Sequence, residues 1–173
     1  MGILLLYPPF IILKRNEERD KKMKVISIIG EKKSGKTSLI EYLITYLKEY
    51  GKVGCIKHAH KLDLDVATAK DTDRFFTAGA EVVIGASEEK TVKICGSKNL
   101  QELIDEMATS GVDFVLVEGF KSSNLPKIAL SNFNDENISI RNLIKRLDFS
   151  NDLKGREEMM KGLVQLILSL DDY

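Results

Sequence analysis

The chain has 173 residues, with 26 basic and 26 acidic side chains, so its formal net charge is zero. This length suits one domain with a continuous core, and the neutral balance gives no electrostatic case for nucleic acid as a partner. Aromatic residues make up 7% of the chain and tryptophan is absent, which argues against a stacking platform for single-stranded nucleic acid.

Residues 1–22 are expected to lie outside the folded domain, and Met23 is a candidate for the true start of the protein. Residues 3–13 are apolar, but Pro8 and Pro9 interrupt them and they are too short to span a bilayer. They also lack the basic region and cleavage site of a signal peptide. We therefore expect no membrane association, with a peripheral anchor as the alternative, and a single nucleotide-binding domain over residues 23–173.

The strongest signal is a glycine–lysine loop, Gly30-Glu31-Lys32-Lys33-Ser34-Gly35-Lys36-Thr37, whose spacing is typical of loops that cradle nucleotide phosphates. Residues 25–29 before it predict a buried strand, and apolar residues at helical spacing over 39–47 predict a helix after it. We expect Lys36 to reach the β- and γ-phosphates and the Thr37 hydroxyl to bind Mg²⁺. The other residues expected to contact the nucleotide here are Gly30, Lys32, Lys33, Ser34, Gly35 and Ser38.

Beyond this loop, predicted strands alternate with predicted helices. Strands are expected at 53–57, 81–85, 91–95, 114–117 and 127–130, with 81–85 and 91–95 as candidates for a hairpin. Helices are expected at the end of the polar segment 58–74, at 100–107 and at about 156–169. This order predicts an α/β fold of the P-loop NTPase-like type. It is a mostly parallel sheet with helices on both faces, and its ligands lie at the carboxyl ends of the strands.

Polar side chains at other strand ends are expected to face the same site. Glu118 ends an apolar strand, where its carboxylate can bind Mg²⁺ beside Thr37, so Glu118 and Lys36 are the candidate catalytic residues. The alternative for Glu118 is a cap on the following turn. His58 and His60 follow the second strand and either bind a cofactor or belong to a surface loop. Arg74 is either a phosphate or cofactor clamp or part of an exposed ion pair.

The residues alone leave the metal and the base open. Cys55, His58 and His60 resemble half of a transition-metal site, although no second ligand pair follows at zinc spacing. No guanine-selecting N-K-x-D element is visible, because residues 132–135 lack the lysine. The two cysteines, Cys55 and Cys95, are far apart in sequence and indicate a reducing compartment, so we expect a cytoplasmic protein.

In this order the motifs resemble those of the molybdopterin-guanine dinucleotide biosynthesis adaptor proteins, the MobB family. The resemblance covers about residues 23–130, and the loop by itself is shared by many nucleotide-binding proteins. The specific part is the combination of the loop with Lys57-His58-x-His60, Lys70-Asp71-Thr72-x-Arg74, Ala78-Gly79-Ala80, Val117-Glu118-Gly119-Phe120-Lys121 and Pro126-Lys127-Ile128.

The resemblance implies a protein that binds GTP and Mg²⁺, hydrolyses GTP weakly and assists the guanylyltransferase that attaches GMP to molybdopterin. It further implies a homodimer, a role in molybdenum or tungsten cofactor synthesis, and a molybdopterin precursor as a candidate ligand.

Two other classes of protein function stay open. A GTPase metallochaperone for a nickel-type site would use Cys55, His58 and His60, and a small-molecule kinase would need an acceptor site. We expect slow hydrolysis, because the sequence offers no obvious water-orienting glutamine or arginine finger in cis. Residues 58–74 are the candidate sensor of a partner.

Overall fold

A computed structural model of the protein describes residues 23–60, 69–130, 133, 140–147 and 153–173, apart from the side chains of residues 69–70 and 153–156. The strands are β1 (Lys24–Ile29), β2 (Val53–Lys57), β3 (Val82–Ala86), β4 (Thr91–Cys95), β5 (Phe114–Glu118), β6 (Lys127–Leu130) and β7 (Leu143–Leu147). The helices are α1 (Lys36–Leu47), α2 (Ala69–Thr77), α3 (Leu100–Thr109) and α4 (Leu153–Leu168).

Five of the strands form one parallel sheet in the order β2-β5-β1-β6-β7, and β3 and β4 form an antiparallel hairpin. The register aligns Ile28 of β1 with Glu118 of β5, and Glu118 in turn with Lys57 of β2. The carboxyl ends of these three strands therefore lie at one edge of the sheet. The predicted α/β fold with a mostly parallel sheet is confirmed.

Helices cover both faces of the sheet, because alternate residues of a strand point to opposite sides. On one face, Ile26 and Ile28 of β1 are fully or almost fully buried in a core that α1 and α4 complete. On the other face, Val25 packs in a second cluster with Ile104 of α3 and Val115 of β5. A strand covered on both faces reads as a continuous apolar run, which is why β1 and β5 could be predicted.

The elements differ from the sequence prediction at a few places. β7 was not predicted, because Ile144, Lys145 and Arg146 are exposed on this edge strand and only Leu147 is buried, so neither a continuous nor an alternating pattern results. α4 begins at Leu153, three residues before the expected start. The predictions for residues 1–22, and part of those for residues 58–74, fall on residues outside the described ones. Within the described part of the chain, no helix is long and apolar enough to cross a membrane.

Candidate functional site

The glycine–lysine loop makes a sharp turn between β1 and α1. Lys33 (φ 64°) and Gly35 (φ 93°) have left-handed backbone conformations, which glycine adopts without steric cost. A Cβ atom at Gly30 would lie 2.7 Å from the Ser34 hydroxyl oxygen and 3.2 Å from the Leu130 Cβ, so a side chain there would crowd the loop. The turn brings the N-terminus of α1, which begins at Lys36, to the carboxyl edge of the sheet, where its dipole favours an anion.

Lys36 is folded over this loop. Its ammonium donates hydrogen bonds to the carbonyl oxygens of Gly30, at 3.1 Å, and of Glu31. Burial lowers the pKa of Lys36; the Glu118 carboxylate opposes that change and the nearby Lys121 ammonium adds to it. An anion that entered beside Lys36 would therefore relieve an unfavourable burial of positive charge.

Glu118 and Lys57 meet at the ends of two neighbouring strands. They are register partners across β5 and β2, and the Lys57 ammonium lies 3.7 Å from a Glu118 carboxylate oxygen. The Glu118 side chain is only 16% exposed, whereas that of Lys57 is 58% exposed. The carboxylate is thus held in place, while the lysine has room to take another partner.

The turn after β5 is fixed by close contacts. Gly119 has φ 100°, and a Cβ atom there would lie 3.1 Å from the Cβ of His58. The Gly119 carbonyl accepts a 2.6 Å hydrogen bond from the hydroxyl of Ser27, a fully buried residue of β1. The His58 ring stacks on Phe120 with 4.4 Å between ring centroids. Strand β1 and the ends of β2 and β5 are therefore tied together at this point.

These groups line one open cavity of about 1360 Å³ at the carboxyl edge of the sheet. The structure thereby brings together six of the residues singled out from the sequence, namely Gly30, Lys32, Lys36, His58, His60 and Glu118. Thr37 and Ser38 lie in the exposed first turn of α1, directly after Lys36. Their contact with a nucleotide stays a prediction.

Two other sequence candidates lie elsewhere. Arg74 is on α2, 3.6 Å from Asp71, with both side chains about four-fifths exposed, and it is not among the described residues that line the cavity. Cys55 is an exposed residue of β2, although partial burial of its thiol raises the pKa. Among the described residues, no three histidine, cysteine or acidic side chains group as metal ligands.

The cavity also contains residues that the sequence analysis did not select as site residues. Lys57, Lys121 and Arg141 add three positive charges, and Phe120 adds the aromatic surface beside His58. The signal for Arg141 in the sequence is weak, because Arg141 reaches the site through the pairing of β7 with β6. Lys57 and Lys121 are next to residues that were selected, and their positions beside strand ends could have identified them.

Lys127, which is not among the described residues that line the cavity, is a further residue whose placement the sequence analysis did not predict. It belongs to β6 and has no exposed surface, yet its side chain is a long cation. The ammonium donates to three backbone carbonyls, those of Ser123, Leu125 and Arg141, at 2.5, 2.9 and 3.0 Å. Burial lowers the pKa of Lys127. These hydrogen bonds use all three N–H donors of the ammonium group. Through them, Lys127 links the β5–β6 connection to the residues before β7.

The arrangement fits a nucleotide with Mg²⁺. The Ser34 hydroxyl oxygen is buried and has no hydrogen-bond partner within the described chain, which leaves a polar atom of the loop available to a ligand. A hydroxyl from Thr37 and a carboxylate from Glu118 are oxygen ligands of the type that Mg²⁺ prefers. Five of the described residues that line the cavity are cations suited to phosphate oxygens, namely Lys32, Lys36, Lys57, Lys121 and Arg141.

Comparison with known proteins finds similarity to one protein family, both in sequence and in fold. The family model for molybdopterin guanine dinucleotide synthesis protein B matches residues 25–145. A protein of Methanocaldococcus jannaschii is 37% identical over 113 residues, which are 62% of this chain and 47% of that protein. The molybdopterin-guanine dinucleotide biosynthesis adapter protein of Escherichia coli is 38% identical over 104 residues, 56% of this chain and 59% of that one.

The chain spans about half to two thirds of the length of the curated relatives it matches. Among solved structures, Bacillus subtilis MobB superposes with a TM-score of 0.64 at 19% identity, over 86% of this chain and all of the other. A MobB homologue from Bacillus stearothermophilus gives 0.62 at 21% identity with the same coverage. At such identities the structural likeness shows a shared fold.

Proposed function

The chain belongs to the molybdopterin guanine dinucleotide synthesis protein B family, and from this premise we propose that it is a GTP-binding adaptor with weak GTPase activity. In this proposal it assists the attachment of GMP to molybdopterin in molybdenum or tungsten cofactor synthesis. The observation that carries the proposal is the position of the glycine–lysine loop and Lys36 in one cavity with Glu118. The names of the relatives supply the pathway.

Each residue at the loop has a chemical task in this proposal. Lys36 would exchange its contacts with the loop carbonyls for contacts with the β- and γ-phosphates. The Thr37 hydroxyl and the Glu118 carboxylate would hold Mg²⁺, which neutralises phosphate charge when bound. His58, stacked on Phe120, forms the aromatic wall of the cavity beside them.

We expect hydrolysis to be slow. No glutamine is among the described residues that line the cavity, so this type of side chain does not orient the attacking water there. A guanylyltransferase partner or a molybdopterin precursor would then raise the rate of hydrolysis by completing the site.

The proposal includes a cytoplasmic homodimer, in which the exposed side chains of Phe75, Val82 and Ile84 offer apolar surface for contact.

Nucleotide affinity tests the proposal directly. Calorimetric titrations with GTP and ATP, each with and without Mg²⁺, should show Mg²⁺-dependent binding with a preference for GTP. Lys36→Ala should weaken triphosphate binding by about 2–4 kcal/mol, because it removes a charge-assisted contact from a partly desolvated site. Lys48→Ala, an exposed position just after the far end of α1, is the matched control. Affinities of Lys36→Ala within twofold of wild type would contradict the proposal.

A further inference from the structure

We infer that the cavity holds a second anion subsite, formed by Lys57, Lys121 and Arg141, which binds a phosphate ester alongside the nucleotide. The inference rests on the proposed function only for the identity of the first ligand. The subsite itself is argued from charge, space and the contacts that hold its three cations.

The described residues that line the cavity have more positive charge than one nucleotide needs. The described residues that line it include five cations, Lys32, Lys36, Lys57, Lys121 and Arg141, and a single carboxylate, that of Glu118. A nucleoside triphosphate with one Mg²⁺ has a charge of about −2, so a positive surplus would remain after it binds. Burial is the largest cause of the lowered pKa of Lys36; the Glu118 and Glu31 carboxylates oppose it, and the Lys121 and Lys57 ammonium groups add to it. A second anion near Lys57 and Lys121 would offset the repulsion between these cations and Lys36.

The cavity also has space for a second ligand. Its volume of about 1360 Å³ exceeds the range of about 300–1000 Å³ that is typical of sites for one small molecule. The glycine–lysine loop and Lys36 lie at the β1–α1 side of this space, while Lys121 and Arg141 come from the β5–β6 connection and from the residues before β7. A ligand at these cations would therefore lie beside the nucleotide phosphates.

Two of the three cations belong to segments that buried side chains contact. The fully buried Lys127 ammonium donates to the backbone carbonyl of Arg141, at 3.0 Å, and to carbonyls of the connection that carries Lys121. The Lys121 ammonium also lies 4.3 Å from the centre of the Phe133 ring, a cation–π contact with a buried aromatic side chain. Their backbone positions are therefore fixed before any ligand binds.

The third cation, Lys57, links the two subsites. It is paired with Glu118 at 3.7 Å, and Glu118 is the carboxylate assigned to Mg²⁺ in the proposed function. When Glu118 binds a metal ion, less of its charge is available to Lys57, whose side chain is more than half exposed and can turn to another anion. Binding of the metal–nucleotide complex should therefore strengthen the second subsite.

The probe is phenyl phosphate, a simple phosphate monoester, titrated by calorimetry at low salt. In wild-type protein saturated with Mg²⁺ and a non-hydrolysable GTP analogue, phenyl phosphate should still bind. The double variant Lys121→Ala/Arg141→Ala should weaken that binding at least about tenfold, since each cation makes a charge-assisted contact. Lys127 contacts only the backbone of residue 141, so this anchor stays intact. The control Lys48→Ala/Lys145→Ala removes two exposed charges that do not line the cavity and should change the affinity less than about twofold.

The outcomes separate this inference from the proposed function. Failure of wild-type protein to bind the GTP analogue would overturn the proposed function, and the subsite would then be tested in Lys36→Ala without nucleotide. Binding of phenyl phosphate to Lys36→Ala together with its loss in the double variant supports the second subsite. Binding that disappears in Lys36→Ala and persists in the double variant places the only anion at the loop and overturns the inference. Failure of the nucleotide-loaded wild type to bind the probe also overturns it.

Discussion

The carboxyl edge of the five-stranded sheet and the β3–β4 hairpin are held in place by different kinds of contact. In the strands that lead to the sheet edge, two polar residues that fix the geometry are buried, Ser27 of β1 and its register partner Lys127 of β6. Ser27 and Lys127 have no exposed surface, and their donors are satisfied by backbone carbonyls. A buried polar group is costly without its partners, so each of these contacts restricts the backbone to one arrangement.

The hairpin is attached through groups that water can reach. The Glu106 carboxylate of α3 accepts hydrogen bonds from Lys93 of β4, at 2.7 Å, and from Lys98. The Lys93 and Glu106 side chains are about two fifths exposed. Val82 and Ile84 of β3 are 53% and 64% exposed, and the buried apolar residue of this strand is Val83.

This difference indicates which part of the molecule can adjust. The geometry of the candidate site is coupled to the stability of the whole sheet, because the loss of its polar anchors would leave buried groups exposed or without hydrogen-bond partners. The hairpin can shift in response to salt, pH or a partner with little effect on the sheet, because exposed ion pairs contribute little and are screened.

The largest effect that we expect comes from removing the buried cation of the sheet. Lys127→Met leaves three backbone carbonyls without their donor and should lower the free energy of unfolding by about 3–5 kcal/mol. Urea denaturation measures this loss. Lys145→Met, at an exposed position of the neighbouring β7, is the control and should stay within about 0.5 kcal/mol of wild type. A loss below about 1 kcal/mol for Lys127→Met would contradict the inference that buried polar contacts hold the sheet more firmly than exposed contacts hold the hairpin.

A smaller effect is expected from Gly119→Ala. Comparison with the same substitution at Gly79 separates the cost of backbone strain from the cost of a steric contact. Both Gly119 and Gly79 have positive φ, 100° and 108°, but only at Gly119 would a Cβ atom meet a neighbour, His58. Gly79→Ala should therefore cost about 1 kcal/mol for backbone strain alone, and Gly119→Ala about 2–3 kcal/mol. Denaturation of both variants measures the difference. In Gly119→Ala, the NMR shifts of the Phe120 ring should also change, because His58 stacks on it. Equal losses would mean that the His58 contact is not tight.

The smallest effect should come from the hairpin, and it should depend on pH. Hydrogen bonds from Lys93 and Lys98 lower the pKa of Glu106 from 4.5 to about 2. A carboxylate with a lowered pKa stabilises the fold above its unfolded-state pKa, and this contribution is lost as the pH falls through the folded-state value. The difference in unfolding free energy between wild type and Glu106→Gln should therefore be constant above about pH 5 and disappear towards pH 2.

Salt supplies the control for this last prediction. At high ionic strength the same difference should shrink at every pH, because the Glu106 side chain is solvent-accessible and its ion pairs are screened. A difference that stays constant from neutral pH down to pH 2, or that does not respond to salt, would show that the hairpin is attached by other contacts.

The parts of the fold that were predictable from the sequence are those with strong local patterns. The buried strands β1 and β5 are continuous apolar runs, and the glycine–lysine loop between a strand and a helix has a characteristic spacing. The hairpin was also expected, because two short runs rich in β-branched residues flank a polar turn. These signals depend on neighbours along the chain.

The site was less predictable wherever it depends on contacts between distant segments. Nothing local indicates that Lys127 is buried, because a lysine at the start of a strand usually reaches solvent. Its burial follows from carbonyls that include that of Arg141, which the fold brings next to it through the β6–β7 pairing. For Arg74 the sequence left two alternatives, a phosphate or cofactor clamp and an exposed ion pair, and the structure places it beside Asp71 on exposed α2.

The two cysteines are placed one in each of the regions compared above, with Cys55 on β2 of the sheet and Cys95 on β4 of the hairpin. They are therefore a natural pair of attachment points for fluorescent dyes, and energy transfer between the dyes would report the distance from hairpin to sheet without engineered residues. Because burial raises the pKa of the Cys55 thiol, it should react slowly at neutral pH, and raising the pH should speed its reaction with a maleimide.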